Sequence, residues 1–236
     1  LSDEALQAIL DSAILGALQD LQASCERRGF SLRERVGTAC WDLEQTYCRQ
    51  VLLPWLHLEQ NRKGSFRVAE AEQAHRLRLG DLELSLRPDR VDELEGGRRM
   101  VIDYKTRAPA RSQWMGARPG EPQLPLYALL DDKIEGIAFA SMAEQPPQFV
   151  GLGEGLGLSS QNDKPLQQQT KGVAEQWQEL VEAWRRRLCY CDFMWKEMKN
   201  CRVGGAETMR LPFDCPMDHV LDTPRWFDNS LGVEVR

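Results

Sequence analysis

Val101-Ile102-Asp103-Tyr104-Lys105-Thr106 is the part of this chain whose residue types point most directly to chemistry. Val-Ile-Asp-Tyr reads as a short strand, rich in β-branched and aromatic residues. Side chains alternate faces along a strand, so Asp103 and Lys105 project to one side. A carboxylate two residues ahead of an ammonium, at the end of an apolar strand, can hold a metal ion and a phosphate side by side. Upstream, Arg87-Pro88-Asp89-Arg90-Val91-Asp92 offers a second carboxylate in Asp89, and Glu72 a third. Downstream, Gln123-Leu124-Pro125-Leu126-Tyr127 sets Gln123 and Tyr127 one helical turn apart on one face.

Three carboxylates drawn together without a cation repel one another, and at least one takes up a proton. A hard divalent ion removes that penalty, and an all-oxygen set suits Mg2+ or Mn2+. Asp89 and Asp103 are the expected principal ligands, with Glu72 joining directly or through water. The plain alternative is a partly exposed Asp103–Lys105 ion pair worth about 0–1 kcal/mol. That reading leaves Glu72, Asp89 and Gln123 unexplained. For Arg90 and Asp92 the expectation is a structural ion pair or turn contact, and His75 is expected at the surface beside the site.

Glu72, then Arg87-x-Asp89-Arg90-Val91-Asp92, then Ile102-Asp103-Tyr104-Lys105-Thr106, then Gln123-Leu124-Pro125-Leu126-Tyr127-Ala128 stand in an order and rough spacing that resembles the PD-(D/E)XK nuclease superfamily. The branch it looks like is the RecB/AddB-type exonuclease domain of bacterial DNA repair proteins, over roughly residues 55–151. The resemblance implies an α/β fold of the restriction-endonuclease-like type, a small mixed sheet flanked by helices. It also implies the Tyr104 carbonyl as an extra metal ligand and DNA as substrate. Lys105 would then orient the attacking water or stabilise the developing negative charge. Gln123 and Tyr127 would position the water, a lysine or the DNA backbone. The activity implied is metal-dependent exonucleolytic hydrolysis in repair or recombination, with a helicase domain or subunit as partner.

The chain departs from that pattern in three places. Related nucleases carry a Gly-x-x-x-His helix ahead of the core, and Gly37-Thr38-Ala39-Cys40-Trp41 has Trp where the His would fall. Either that His lies upstream of this segment, the reading we favour, or this member lacks it. Pro88 stands where an aliphatic residue is usual, and Pro predicts an edge position or bulge. Relatives of the AddB type end in closely spaced Cys that close an iron–sulfur cluster. Cys189, Cys191, Cys201 and Cys215 are instead irregularly spaced, and no such cluster is expected.

The chain has 236 residues, 42% hydrophobic and 28% charged, enough for one sizeable core or two small ones. No apolar run of about 18 residues occurs, so no membrane partner is expected. Seven Cys at irregular spacing do not form a secreted disulfide framework, and a reducing cytoplasm is the expected location. The opening Leu1-Ser2-Asp3 lacks an initiator Met and reads as part of a longer protein. A net charge of −6 is awkward for a nucleic-acid binder, so weak DNA affinity is expected of this segment alone.

Around the site we expect a helical N-terminal part over 1–63, the nuclease core over 64–150, a flexible Gly/Gln-rich connector over 151–172, and a C-terminal helix with an irregular tail over 173–236. The N-terminal part divides into an amphipathic helix over 1–22, capped by Ser2, and a helical stretch over 32–61 that Pro54 kinks or divides. The second stretch carries Val36, Cys40, Leu43, Tyr47, Val51, Trp55 and Leu58 as its packing stripe. Leu77, Leu79, Leu82, Leu84 and Leu86 predict a β-hairpin turning at Gly80-Asp81, its leucine face buried against the N-terminal helices. The Arg-, Pro- and Gly-rich stretch 107–121 reads as a loop over the site, its Arg107, Arg111, Arg118 and Trp114 available to a nucleic-acid backbone or base; an ordinary solvated loop is the alternative. Two rival functions stay open: a nuclease-fold DNA-binding or scaffold module that does not cut, and a Cys-based metal protein.

Overall fold

The computed structural model describes residues 2–80, 82–115, 119–158, 163–201 and 234–235, with the backbone alone for 190–201 and 234–235. Two compact units divide the chain. The first holds residues 2–62 with Lys105–Arg107 and Ser141–Gln148; the second holds 63–104, 108–140 and the described residues from 149 onward.

In the first unit the apolar periodicity resolves into α1 (Asp3–Arg27), α2 (Leu32–Val36) and α3 (Thr38–Gln60). The Ser2 hydroxyl caps α1 by accepting from the Ala5 N–H at 3.3 Å, and Asp3 and Glu4 sit at the positive end of the helix. Leu10, Ile14 and Leu18 of α1 pack with Trp41 of α3, beside half-buried Cys48, Leu52, Leu53 and Leu56. Two expectations are corrected here. The break in the 32–61 stretch falls at Gly37, whose φ of 80° costs glycine little, while α3 runs on through Pro54. The packing stripe is also displaced in part: Trp55 is buried as expected, but Val36, Cys40, Leu43 and Tyr47 are exposed, and Trp41 takes a buried place.

The second unit is built on β1 (Phe66–Ala71), β2 (His75–Leu79), β3 (Leu82–Leu86), β4 (Arg90–Leu94), β5 (Arg99–Lys105), β6 (Ile134–Ser141), β7 (Gln148–Leu152) and β8 (Glu234–Val235), with α4 (Ser112–Met115), α5 (Gln123–Tyr127), α6 (Leu166–Gln169) and α7 (Trp177–Cys201). One sheet runs β1-β4-β5-β6-β7, and a smaller one runs β2-β3-β8. Strands β1, β4 and β5 are antiparallel neighbours. The Arg99 N–H donates to the Lys133 carbonyl at 2.8 Å, and the Met142 N–H to the Lys105 carbonyl at 3.1 Å, so β5 and β6 run in the same sense. This is the expected restriction-endonuclease-like arrangement, a mixed sheet flanked by helices with a helical N-terminal part.

The hairpin has the expected register, Leu79 opposite Leu82 and Leu77 opposite Leu84, with Gly80 at φ 60° in the turn; Asp81 lies outside the described residues. Leu77, Leu79, Leu84 and Leu86 are buried on one face. That face, expected against the N-terminal helices, shares a core with Val101, Phe139, Leu180, Trp184 and Leu188. Pro88 is neither on an edge strand nor in a bulge; it sits just ahead of interior strand β4, where no ladder N–H is needed. The irregularity falls in β1, between Val68 and Glu70.

Two loop readings change more. Trp114 is fully buried in α4, its ring 5.6 Å from that of Phe139, and is not available to a base. Arg111 is half-buried and burial lowers its pKa, Arg107 is exposed, and Arg118 lies outside the described residues. The stretch 151–172, expected as a flexible connector, packs through Leu152, Leu156, Leu158 and Leu166 where it is described. Gly151, Gly153 and Gly157 in it serve close approach. At Gly157 (φ 68°) a Cβ would meet the Lys63 carbonyl oxygen, while the Lys63 N–H donates to the Gly157 carbonyl at 3.1 Å. Gly157→Ala should therefore destabilise the second unit by about 1–3 kcal/mol. Denaturant unfolding checks this, and a midpoint equal to wild type would contradict it.

Cys189 is free and half-buried. Cys191 and Cys201 lie on α7 with undescribed side chains, and Cys215 lies outside the described residues. Among the described residues no helix is long and apolar enough to cross a membrane.

Candidate active site

Strand register brings the three acids into one row. In the β1–β4 ladder Ala71 faces Arg90, and the pairing extends one step as the Glu72 N–H donates to the Asp89 carbonyl at 3.1 Å. In the β4–β5 ladder Arg90 faces Ile102, so the next rung sets Asp89 opposite Asp103. Directly opposed residues share a face. Glu72, Asp89 and Asp103 thus stand side by side at the ends of adjoining strands, running from exposed through half-buried to buried. Lys105 ends β5, two residues beyond Asp103 and on the same face of that strand.

Each carboxylate is engaged by the chain itself. Glu72 Oε2 accepts from Arg87 Nε at 2.6 Å and pairs with the Nη2 of the same guanidinium. Asp89 Oδ2 accepts from the Tyr104 N–H at 2.8 Å. Asp103 Oδ1 accepts from Gln123 Nε2 at 2.7 Å, and the same amide donates to the Tyr127 hydroxyl at 3.0 Å. The Tyr127 hydroxyl in turn donates to the Arg87 carbonyl at 3.2 Å. The single turn of α5 that carries Gln123 and Tyr127 is wholly buried. It acts as a bracket between β5 and the strand entering at residue 87. Glu72 holds a left-handed φ of 52°, a conformation that costs a non-glycine residue about 1 kcal/mol or more.

Among the described residues no three His, Cys, Asp or Glu side chains are gathered closely enough to hold a metal ion. The residues fit a hard divalent ion in kind and in backbone placement: three carboxylates on successive rungs, with the Tyr104 carbonyl following Asp103. The partners just named engage one oxygen of each carboxylate. Arg87, which holds Glu72, was quoted in the motif yet not foreseen as part of the site; an arginine two residues from a candidate ligand was the available signal. Arg90 and Asp92 form the expected ion pair, and His75 Nε2 lies 2.8 Å from Glu70 Oε2.

Burial raises the Tyr127 pKa well above its ordinary value; the Gln123 hydrogen bond opposes this, and Asp103, Asp89 and Glu72 add to it. All three acids thus act on one hydroxyl. A folded pKa above the unfolded value of about 10 favours the neutral phenol, so this stability is present below pH 10 and lost as pH rises past it. Tyr127→Phe should abolish that alkaline loss. Unfolding free energies of both proteins across pH 8–11 (roughly the span of phenol titration) check this; parallel curves would contradict it.

The family model for the PD-(D/E)XK nuclease superfamily matches residues 2–205. Comparison with curated proteins and with solved structures gave no match. With the ordered motif blocks, the mixed sheet and a family match over most of its length, the chain belongs to the PD-(D/E)XK nuclease superfamily, whose members are generally metal-dependent phosphodiesterases.

Proposed function

We propose that this chain hydrolyses DNA phosphodiester bonds with Mg2+ or Mn2+, working from DNA ends. We place it in a cytoplasmic repair or recombination protein of the RecB/AddB type that includes a helicase domain or subunit. The observation that supports this is the row of Glu72, Asp89 and Asp103 across β1, β4 and β5, with Lys105 two residues past Asp103. When bound, a hard divalent ion supplies Lewis acidity and a water of lowered pKa. Asp89 and Asp103 would hold it, with Glu72 and the Tyr104 carbonyl as further donors. Lys105 orients the nucleophile or meets the charge developing on the phosphate. Gln123 keeps the Asp103 carboxylate turned towards its neighbours, and Tyr127 braces that amide.

The test is incubation with end-labelled linear duplex DNA, linear single strands and covalently closed circles, with Mg2+, Mn2+ or chelator. Release of short products from linear DNA in metal alone, with circles intact, is the expected result. No cleavage of any substrate in either metal would overturn the proposal, and nicked circles would overturn its exonucleolytic part. A second reading, a module that binds DNA without cutting it, is favoured by the Arg87 guanidinium on Glu72 and the Tyr104 N–H on Asp89. Calorimetric titration with Mn2+ separates the two, since the second predicts no stoichiometric uptake.

A further inference from the structure

The Arg90–Asp92 pair belongs to the motif but not to the site. Alternation along β4 puts Asp89 on the face of the acid row and Arg90 and Asp92 on the opposite one. Asp92 is fully buried, and the Arg90 side chain is only 12% exposed. The contact is a fork: Arg90 Nε to Asp92 Oδ1 at 2.6 Å and Nη2 to Oδ2 at 2.9 Å. The remaining nitrogen, Nη1, donates to the Tyr104 hydroxyl at 3.0 Å, and the guanidinium lies over the Phe66 ring.

We propose that Arg90 and Asp92 are positioning residues: from behind the sheet they hold Tyr104, and through its backbone they set Asp103 against Asp89 and fix the spacing from Asp103 to Lys105. The inference rests on the nuclease reading above. Tyr104 is tied at two ends, its N–H to Asp89 at the front and its hydroxyl to Arg90 at the back. It is the residue between Asp103 and Lys105, so its setting fixes where both leave the strand. Stability alone does not call for charges here, because a buried ion pair is often matched or exceeded by apolar residues of similar volume. A planar fork offers geometry instead, with three donors at fixed angles linking one carboxylate and one phenol. Displacement of a reacting group by about 1 Å costs on the order of a hundredfold in rate, which makes such bracing consequential.

Two variants test this, Arg90→Met/Asp92→Leu and Tyr104→Phe, each followed by thermal unfolding, Mn2+ calorimetry and steady-state cleavage of linear DNA. The double variant should melt at or above the wild-type temperature with KM for DNA unchanged. Its kcat and its Mn2+ affinity should both fall about 10- to 100-fold, as for residues that orient metal ligands. Tyr104→Phe removes one hydroxyl, should show the same split, and decides the matter if the double variant fails to fold. Folded variants with wild-type kcat and Mn2+ affinity would overturn the inference while leaving the nuclease reading intact. Wild-type protein that neither takes up Mn2+ nor cleaves DNA would overturn both.

Discussion

Asp103→Asn is expected to lower Mg2+-dependent cleavage roughly a thousandfold, because it withdraws several kcal/mol of charge stabilisation at 1.36 kcal/mol per decade of rate. The fold should survive. Asparagine keeps the size of the side chain and an Oδ1 that still accepts from Gln123 Nε2, the 2.7 Å bond that anchors the residue. What disappears is the one fully buried negative charge of the acid row. Lys105→Met should cost about 10²–10³-fold, the usual effect of deleting one group aimed at developing charge. Its backbone carbonyl still accepts the Met142 N–H, so the end of β5 stays paired. Single-turnover cleavage beside circular dichroism measures both effects. Rates within tenfold of wild type for both variants (about 1.4 kcal/mol) would remove Asp103 and Lys105 from the chemistry.

Trp114→Ala is expected to cost about 3–5 kcal/mol of stability, as other large-to-small aromatic truncations in cores do. The side chain is completely buried, its ring packs obliquely on Phe139, and its carbonyl accepts from Trp184 Nε1 at 2.9 Å. Truncation therefore opens a cavity under α4 and loosens the seat of α7. Trp114→Phe should be far milder, since the indole Nε1 it removes has no hydrogen-bond partner among the described residues. Urea unfolding measures both. Unchanged stability with weakened DNA binding in Trp114→Ala would instead restore this residue as a surface contact for bases.

That tryptophan shows where sequence reasoning ran short. The stretch 107–121 is rich in Arg, Pro and Gly, and such composition hides a single buried anchor because nothing periodic surrounds it. The connector misled for a related reason: glycines at 151, 153 and 157 read as flexibility, whereas they let backbones approach more closely than a Cβ permits. Periodic segments were legible. Five leucines at spacing two around Gly80 admit one register that buries them together, and the structure has it. In α3 the helix and its buried Trp55 were legible but not the start of its face, because Gly37 restarts the helix and shifts the stripe there to Trp41. The acid row was legible as residue types in order. Its partners were not, because the Arg87 and Gln123 contacts depend on how the loop before β4 and the turn of α5 approach the sheet.

Among the described residues, one apolar cluster gathers around Trp41 between α1 and α3 and a larger one around Trp114, Phe139 and Trp184. Their melting need not be a single all-or-none event. A calorimetric scan should then return a van't Hoff enthalpy smaller than the heat absorbed, the mark of more than one cooperative block. The smaller cluster, with four buried members, would give way at the lower temperature. A lone midpoint read from helical ellipticity would mix that block with α7, which packs on the core of the sheet that carries the acids.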